Sequence, residues 1–592
     1  MQKINNRLAH LRNMMRVHNL SAYIVPGTDP HAGEYIADHW KERDWISGFD
    51  GSAGTVAVTL EKAGVWVDSR YYLQADEQLQ GTAYETMKMG LPNVPDIIAW
   101  LKHQLKSGDQ VGVNPEMFSV NAFAAMKEAL GRKNINLVQL DLIREIWLDR
   151  PAVPENPIFI FDEKLSGKSS LEKIDALRQM MKNAQADVFV TNTLDEIAWL
   201  FNIRGSDVDY NPVAIAYASV SGQEAILYIS QEKIRDEVRR YLDTQSIIIK
   251  DYSAIYEDLA SFPDDKKVLF DGAKLNRSLF ECIPSACSTI AMPSPIAQMK
   301  SIKNETELAG VRKAMIKDGV ALTRFFIWLE ENVGSGKLTE LSITDKLHDF
   351  RAEQTDFYGE SFATIAGYAG HGAIVHYKAD EKSDATILPE GILLLDSGAQ
   401  FLHGTTDITR TVALGVPTLQ QKADYTLVLK GHIGLATAKF PVGTRGSQLD
   451  VLARQAMWDK GLNYGHGTGH GVGHFLNVHE GPQNIRMDEN PTILQPGMII
   501  SNEPGLYRTH EYGIRIENLI LVVPGMQTEF GSFLKFETLT YFPISTNLID
   551  KDLLTTEELN WLNAYHQTVY DKLAPHLSDA ERLWLQEKTK AI

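Results

Sequence analysis

Residues 391–415 read GILLLDSGAQFLHGTTDITRTVALG, and two acidic side chains stand there where core strands ordinarily carry apolar ones. A buried apolar run ends in Asp396, a turn-forming HGTT follows, and a second predicted strand carries Asp407. Adjoining hairpin strands would hold the two carboxylates close together inside the fold. Buried like charges repel each other, at a cost in free energy, unless a cation or a proton compensates them. The alternative is that both aspartates cap turns.

Residues 497–523, GMIISNEPGLYRTHEYGIRIENLILVV, repeat this arrangement. Glu503 follows the apolar run GMIIS, and Glu517 enters the apolar run NLILVV. Four carboxylates on strands of one segment need compensating positive charge, which two divalent cations would supply. This oxygen-rich set favours Mn²⁺, with Co²⁺ and Zn²⁺ as alternatives, and bridging carboxylates hold two metals about 3.5 to 4 Å apart.

Residues 466–480, HGTGHGVGHFLNVHE, supply candidate histidine ligands. His466, His470 and His474 are four positions apart, but each glycine between them would cost about 1 kcal/mol inside a helix. The segment is therefore predicted to be an extended or looping strand whose glycines allow a close approach of the backbone. The three histidines can share one face of such a strand, so the spacing leaves open which of them binds a metal.

Two proline-containing stretches divide the chain into three segments. The first stretch is residues 147–159, WLDRPAVPENPIF, in which prolines lie at positions 151, 154 and 157. In the second stretch, AMPSPIAQMKSIKNETEL, two prolines precede Asn304, which is expected to cap a helix with Glu307 at its N3 position. The predicted domains are residues 1–154, 155–298 and 299–592.

The first two segments resemble each other in sequence. Residues 11–25, LRNMMRVHNLSAYIV, align with residues 177–190, LRQMMKNAQADVFV, as a helix that leads into a short β-rich run. We interpret the segments as two copies of one α/β domain, with chance similarity of a common pattern as the alternative. The third segment alternates long helices with strands that carry polar residues, and its fold class is α+β.

Composition and charge restrict the class of protein. At 592 residues and 44% hydrophobic composition the chain is long enough for several domains, and no apolar run approaches the roughly 18 residues of a membrane span. The N-terminus reads as an amphipathic helix rather than a signal peptide, so we expect a cytoplasmic protein. A net charge of −18 argues against a nucleic-acid-binding surface. Cys282 and Cys287 are expected to be reduced structural thiols.

The motifs DSGAQ, TTDITRT, HGTGHGVG, NEPG and GIRIEN together resemble those of the pita-bread metallopeptidases, specifically the long, three-domain Xaa-Pro aminopeptidases. The resemblance extends over essentially the whole chain and includes residues 47–58, 66–79, 540–550 and 561–573. It implies two creatinase-like N-terminal α/β domains followed by a pita-bread catalytic domain.

The resemblance also assigns a set of metal ligands. It implies that Asp407 and Glu517 bridge two metals, that Asp396 binds one metal, and that His470 and Glu503 bind the other. Four carboxylates then neutralise two dications, and a bridging water is left to ionise near neutral pH as the nucleophile. Glu503 is expected to carry the proton from that water towards the leaving amine.

Four further residues resemble substrate-side groups of this family, and a fifth resembles a group that supports the metal ligands. His376, in the stretch HGAIVHY, is implied to donate to the tetrahedral intermediate. His466 and His479 are implied to contact substrate or to stabilise the transition state. Arg515 resembles a supporting arginine, with an ordinary strand salt bridge as the alternative, and Arg70 resembles a substrate-contacting arginine, with a surface role as the alternative.

Two histidines in the same stretches match no functional position. His474 is interpreted as a packing or strand-face residue, and His371 as a polar loop residue. The ligands His470 and Glu503 are also expected to border bound substrate.

The predicted function is removal of the N-terminal residue from peptides whose second residue is proline, by a metal-dependent aminopeptidase. Proline lacks an amide N–H and has a restricted φ, so it requires a dedicated pocket. The alternatives are a prolidase-type dipeptidase or a methionine aminopeptidase of the same fold, a creatinase-like hydrolase, and a non-catalytic binding protein, although the last two would be expected to lack ligands. The family also suggests a homodimer formed through the C-terminal segment.

Overall fold

The apolar run after the first helix forms the central strand of a six-stranded sheet. The computed structural model describes residues 1–592. Along the chain the strands of this sheet are β1 Ala22–Pro26, β2 Thr55–Thr59, β3 Ala63–Val67, β4 Glu85–Lys88, β5 Gln110–Val113 and β6 Asn136–Gln139. Their order across the sheet is β4-β3-β2-β1-β5-β6, and β1 pairs antiparallel with β2 and parallel with β5.

A second sheet repeats this topology. Its strands are β8 Val188–Thr191, β10 Tyr217–Ser221, β11 Ala225–Tyr228, β12 Ile247–Lys250, β13 Lys267–Phe270 and β14 Ser288–Ala291, while β7 Phe159–Ile160 and β9 Ile203–Arg204 form a separate pair. The order is β12-β11-β10-β8-β13-β14, with β8 antiparallel to β10 and parallel to β13. The prediction of two copies of one α/β domain is confirmed, because both sheets have the same order and the same strand directions.

Helices surround these two sheets. The first helix buries Leu8, Leu11 and Met15 at the three- and four-residue spacing of one helical face, and these side chains join the core of the first sheet. The helices are α1 Gln2–Val17, α2 Glu42–Ser47, α3 Tyr72–Leu79, α4 Ile97–Gln104, α5 Val120–Gly131, α6 Leu142–Ile146, α7 Glu163–Ser166, α8 Ser170–Asn183, α9 Leu194–Leu200, α10 Asp236–Thr244, α11 Ala254–Ala260, α12 Arg277–Cys282 and α13 Pro295–Ser301.

The chain forms two compact units, Met1–Ala297 and Gln298–Ile592. The second unit contains the long helix α14, Glu305–Asn332, whose capping box pairs Asn304 with Glu307 as predicted. The other helices of this unit are α15 Glu340–Ala352, α16 Leu419–Ala436, α17 Asp450–Trp458, α18 Thr556–Leu573 and α19 Asp579–Lys588.

Strands from distant parts of the sequence assemble the sheets of the second unit. These strands are β15 Phe357–Glu360, β16 Ile365–Tyr368, β17 Ile392–Ser397, β18 Ala399–Phe401, β19 Gly404–Thr405, β20 Ile408–Ala413, β21 Lys439–Pro441, β22 Gly469–Gly471, β23 Glu480–Ile485, β24 Ile499–Asn502, β25 Gly505–Arg508, β26 Tyr512–Arg515, β27 Asn518–Thr528 and β28 Gly531–Thr538. Two of the sheets matter for the site: β16-β17-β20 and β21-β28-β27-β24-β22-β23.

The core of the second unit lies between these sheets and their helices. Tyr425, Val428 and Leu429 of α16 are fully buried together with Leu519 and Leu521 of β27. Residues from α18, such as Leu562 and Val569, belong to the same apolar cluster, so the C-terminal helices are part of this core. No helix in the chain combines the length and the apolar character that a bilayer crossing requires.

Candidate metal centre

Two strand pairs bring the four acidic residues to one region of the second unit. In the first pair, β17 and β20 run antiparallel, with Asp396 opposite Thr409. Asp407 lies immediately before β20 rather than within it. In the second pair, Asn502 ends β24 opposite Asn518, the first residue of β27. Glu503 and Glu517 therefore flank the end of that pair.

A backbone hydrogen bond joins the two strand pairs. The amide of Glu517 donates to the carbonyl oxygen of Thr409 at 3.1 Å, and the Thr409 hydroxyl donates to Glu517 Oε2 at 2.8 Å. Both contacts are buried, so the strand ends that carry the acidic side chains are fixed relative to one another.

His470 joins these carboxylates from β22. Its Nε2 atom lies 3.4 Å from Asp407 Oδ2 and 3.6 Å from Glu503 Oε1. One potential ligand atom from each of Asp407, His470 and Glu517 lies within 4.8 Å of the other two. These distances suit a shared cation better than direct hydrogen bonds.

The glycines beside His470 permit a close approach, as predicted. A Cβ atom on Gly469 would lie 2.0 Å from the carbonyl oxygen of Ser501, and one on Gly471 would lie 2.3 Å from that of Glu480. Only glycine fits at these two positions, because the neighbouring strands are already in backbone contact.

The buried carboxyl groups have perturbed acidities. Burial raises the pKa of Asp407 well above its ordinary value, and the charges of Asp396 and Glu503 raise it further. Burial also raises the pKa of Glu517 well above its ordinary value, with repulsion from Asp407 as the next contribution. The pKa of Glu503 is raised to about 7, first by burial and then by Glu517. The protein alone therefore does not compensate these negative charges.

Arg515 provides the only positive side chain in direct contact with Asp396. Its Nε and Nη2 atoms both donate to Asp396 Oδ2, the former at 3.1 Å. The second oxygen, Asp396 Oδ1, is buried and has no hydrogen-bond partner. A buried carboxylate oxygen without a hydrogen-bond partner, close to other buried carboxyl groups, is expected at a cation site. These residues therefore fit a divalent metal centre.

Tyr507 was not identified from the sequence, although it connects two residues that were. Its hydroxyl accepts from Arg515 Nη1 at 2.6 Å and lies 2.8 Å from His466 Nε2. Gly505 is opposite Arg515 in the β25–β26 hairpin, so Tyr507, two positions further along, shares a face with Arg515. That relation requires the register of the hairpin, and the sequence carries no direct signal for it.

Ser501 and Thr468 also contact the predicted ligands, although the sequence alone did not indicate them. The Ser501 hydroxyl accepts from the His470 amide at 2.9 Å and donates to Glu503 Oε1 at 3.2 Å. The Glu503 amide donates to the carbonyl oxygen of Thr468 at 2.8 Å. These contacts fix His470 and Glu503 relative to each other, and a single serine or threonine gives no sequence signal for such a role.

The remaining predicted histidines differ in their surroundings. The His479 ring lies 4.3 Å from that of His470, in an edge-to-face arrangement. His376 is half-buried, and the neighbouring Val375 carbonyl accepts from Arg515 Nη2 at 3.4 Å. His474 is buried.

Arg70 lies in the first unit, where it is bound by a single acidic residue. Its Nε and Nη2 atoms donate to the two carboxylate oxygens of Asp68 at 2.9 and 2.8 Å. The predicted substrate contact of Arg70 stays a prediction.

Comparison with known families accounts for nearly the whole chain. The profile described as Creatinase/Prolidase N-terminal domain matches residues 7–146, and a second profile with that description matches residues 149–307. The profile of metallopeptidase family M24 matches residues 309–524, and the C-terminal region of peptidase M24 matches residues 532–592. A probable Xaa-Pro aminopeptidase P from Laccaria bicolor is 44% identical, with 99% of this chain and 93% of that protein covered. The chain belongs to metallopeptidase family M24.

Two further relatives match over 97% or more of their length. Xaa-Pro aminopeptidase 1 from Dictyostelium discoideum is 40% identical and covers 100% of this chain and 97% of its own. The crystal structure of an X-prolyl aminopeptidase from Caenorhabditis elegans has a TM-score of 0.96 and 36% identity, with both chains fully covered. It is described as a cytosolic enzyme with a di-nuclear active site. The predicted family and the predicted fold, two creatinase-like domains followed by a pita-bread domain, are confirmed.

Proposed function

We propose that this M24 protein is a metal-dependent Xaa-Pro aminopeptidase, which hydrolyses the N-terminal peptide bond of peptides with proline in second position. The observation that carries the proposal is the convergence of Asp407, His470 and Glu517 within 4.8 Å of one another, with the Glu503 carboxylate 3.6 Å from His470. Similarity to Xaa-Pro aminopeptidases over 99% of the chain supports the substrate class.

The proposed ligands are the five side chains that the family resemblance implies, three of which the structure brings within 4.8 Å of one another. Asp407, Glu517, Asp396, His470 and Glu503 would hold two divalent cations, with Asp407 and Glu517 proposed as the ligands shared by both, as the resemblance implies. An oxygen-rich set with one imidazole favours Mn²⁺, with Co²⁺ and Zn²⁺ as alternatives. When bound, two such cations would supply a nucleophile at neutral pH by lowering the pKa of a bound water.

The protein's own groups orient the reactants and move the proton. Glu503, which is half-buried beside His470, would carry the proton that the attacking water loses to the proline nitrogen that leaves. Arg515 fixes Asp396 through two donor atoms, and Tyr507 connects this arginine to His466. An ordered ligand set of this kind loses about 10 to 100-fold in activity or metal affinity when a supporting contact is removed.

Three histidines act on the substrate side of this site. His376 donates a hydrogen bond to the oxygen that gains negative charge as the carbonyl becomes tetrahedral. His466 and His479 contact the substrate in this proposal, as the resemblance implies. His466 is bound to Tyr507, and His479 packs on the ring of His470. Arg70, a residue of the predicted N-terminal domain, is a further residue proposed to contact the substrate.

Several further properties belong to the same proposal. The chain is divided into domains at residues 1–154, 155–298 and 299–592, and it forms a homodimer through its C-terminal segment. It acts in the cytoplasm, as the Caenorhabditis elegans enzyme is described to do. Its partners are peptides with an N-terminal Xaa-Pro sequence, and its net charge of −18 argues against nucleic acid as a ligand.

Hydrolysis of a matched peptide pair tests the proposal. Purified protein is treated with a chelator, reloaded with Mn²⁺, and assayed with Arg-Pro-Pro, Arg-Ala-Ala and the dipeptide Arg-Pro. We expect metal-dependent release of arginine from Arg-Pro-Pro alone. Cleavage of Arg-Pro alone would instead identify a prolidase-type dipeptidase.

A pair of glutamate variants provides the control for the site. Glu503→Ala is expected to abolish hydrolysis, whereas Glu511→Ala, at an exposed position of the neighbouring hairpin, leaves it unchanged. No cleavage of any of the peptides by protein that holds two metals per chain would contradict the proposed function.

A further inference from the structure

The segment that carries His376 has little regular structure of its own. The single turn Ala369–Ala373 follows β16, and residues 374–386 form neither helix nor strand before β17 begins at Ile392. Its internal backbone hydrogen bonds are local, such as that from the Tyr377 amide to the Ile374 carbonyl oxygen at 3.1 Å. Contacts from outside the segment therefore help to fix the position of His376, and one of them is the backbone hydrogen bond from the Glu340 amide to the Ala385 carbonyl oxygen at 3.1 Å.

Glu340 supplies such a contact from the first position of α15. Its carboxylate is completely buried, and its two oxygens accept hydrogen bonds from both ends of the segment. At the near end, Oε1 accepts from the Tyr368 amide at 2.8 Å and lies 2.9 Å from His371 Nδ1. At the far end, Oε2 accepts from the Tyr377 hydroxyl at 2.7 Å and from the Ala385 amide at 3.1 Å.

This arrangement stabilises a buried negative charge without a lysine or arginine among its hydrogen-bond donors. Four groups donate to one carboxylate, and the N-terminus of α15 adds a favourable dipole. The rings of His371 and Tyr377 also stack, with centroids 4.5 Å apart. His371 is thus a structural partner of Glu340 rather than an ordinary polar loop residue.

The residues on either side of His376 contact two different charged groups, one through a backbone carbonyl and the other through a side-chain hydroxyl. Arg515, which also binds Asp396, donates to the carbonyl oxygen of the preceding Val375 at 3.4 Å. Tyr377, the next residue, is bound to Glu340. His376 therefore lies between one contact from the metal centre and one from α15.

We propose that Glu340 is a positioning residue for His376, which orients this histidine by binding the polypeptide on both sides of it. The proposal rests on the proposed function, in which His376 donates to the developing oxyanion. A donor displaced from that oxygen stabilises the transition state less while substrate binding is little affected, so the effect falls on kcat.

Glu340→Gln is the most direct test. Glutamine has one acceptor oxygen, and its amide group would face donors such as the Ala385 N–H, so the carboxylate contacts cannot all be kept. We expect kcat for an Xaa-Pro peptide to fall roughly tenfold or more, with KM changed less than about twofold. Asp345→Asn, at an exposed acidic position of the same helix, is the matched control and is expected to leave both constants unchanged.

A double-mutant cycle separates positioning from general destabilisation. In a His376→Ala background, Glu340→Gln is expected to change kcat less than about twofold, because the group it positions is already absent. An equal loss of kcat in both backgrounds would overturn the proposal. Tyr377→Phe removes one of the four contacts, and it serves the same cycle if Glu340→Gln does not fold.

Amide hydrogen exchange tests the same idea without the reaction. Residues 374–386 are expected to exchange faster in Glu340→Gln than in the unmodified protein, while the amides of α14 keep their protection. Unchanged exchange in residues 374–386 would overturn the proposal. This readout needs no substrate, so it does not depend on the proposed peptidase activity. That activity fails separately if the unmodified protein binds metal but cleaves no Xaa-Pro peptide.

Discussion

At the scale of single residues, the candidate metal centre holds several acidic side chains but one arginine, Arg515, in contact with them. Arg515 contacts one oxygen of Asp396, whereas Asp396 Oδ1 has no hydrogen-bond partner, and burial and repulsion between the carboxyl groups raise the pKa values of Asp407 and Glu517. The acidic residues were recognisable in the sequence because each interrupts or ends an apolar run. Tyr507 was not, because its importance comes from a contact with Arg515 and not from its own local pattern.

A buried histidine in the first unit gives a prediction about acid stability. His31 is 1% exposed, with Nδ1 2.8 Å from the Asn192 carbonyl oxygen and Nε2 3.0 Å from the Tyr252 hydroxyl. Burial is the main cause that lowers its pKa to about 3, so the folded protein keeps this ring neutral. The stability that His31 contributes is complete above the unfolded-state pKa of about 6.5 and is lost as the pH falls from there towards 3.

Urea titrations of the full chain at pH 7.5 and 5.0 measure this effect. Between these pH values we expect the unmodified protein to lose about 2 kcal/mol more unfolding free energy than His31→Gln, which cannot take up the proton. Equal pH dependence of the two proteins would show that His31 does not titrate in this way.

At the scale of elements, the close packing of α16 on α17 fixes the histidine segment. A Cβ atom on Gly431 of α16 would lie 2.1 Å from the carbonyl oxygen of Ala453 in α17. From α17, Asp450 accepts from the Thr468 hydroxyl at 2.5 Å, and Arg454 donates to the His466 carbonyl oxygen at 2.8 Å. The distance between the two helices therefore determines where the segment that contains His466 and Thr468 lies.

A pair of glycine substitutions tests this dependence. Gly431→Ala is expected to lower the unfolding free energy by about 1 to 3 kcal/mol, because the helices must separate, even though alanine favours a helix. Gly131→Ala, at the end of α5, meets no atom within 4 Å and is expected to raise it by about 0.5 to 1 kcal/mol. Urea denaturation measures both values, and stabilisation by Gly431→Ala would contradict the argument.

At the scale of the whole molecule, a single buried guanidinium ties the C-terminal extension to the strands of the site within the second unit. Arg410 donates to the carbonyl oxygens of Glu517, Phe542 and Pro543 at 2.6, 2.7 and 2.9 Å. It also donates to the Tyr565 hydroxyl of α18 at 2.9 Å. The extension is thus part of the structure that supports the candidate metal centre.

Arg410→Lys is expected to lower the unfolding free energy by about 3 kcal/mol, because an ammonium group cannot replace donors that point in several fixed directions. Arg445→Lys, at a surface ion pair with Glu489, is the control and should change it by less than about 0.5 kcal/mol. Urea unfolding of the full chain measures both, and a loss at position 410 as small as that at position 445 would contradict the prediction.

The sequence by itself determined the features that local patterns encode. The repeated helix and strand of the first two segments, the capped start of α14 at Asn304 and the acidic residues at the ends of apolar strands are all local patterns, and the motifs around them identified the family. Local signals suffice for these features because helix caps, strand periodicity and interrupted apolar runs act over only a few residues.

Only the tertiary structure decided which distant residues meet. The spacing of His466, His470 and His474 was equally compatible with any of them facing the carboxylates, and the folded chain places His470 beside Asp407, His466 beside Tyr507 and His474 in a buried position. Glu340 similarly acquires its contacts with residues 368–385 only after α15 packs against them. Strand register and helix packing depend on pairing between remote segments, and that information is not contained in any one stretch of the sequence.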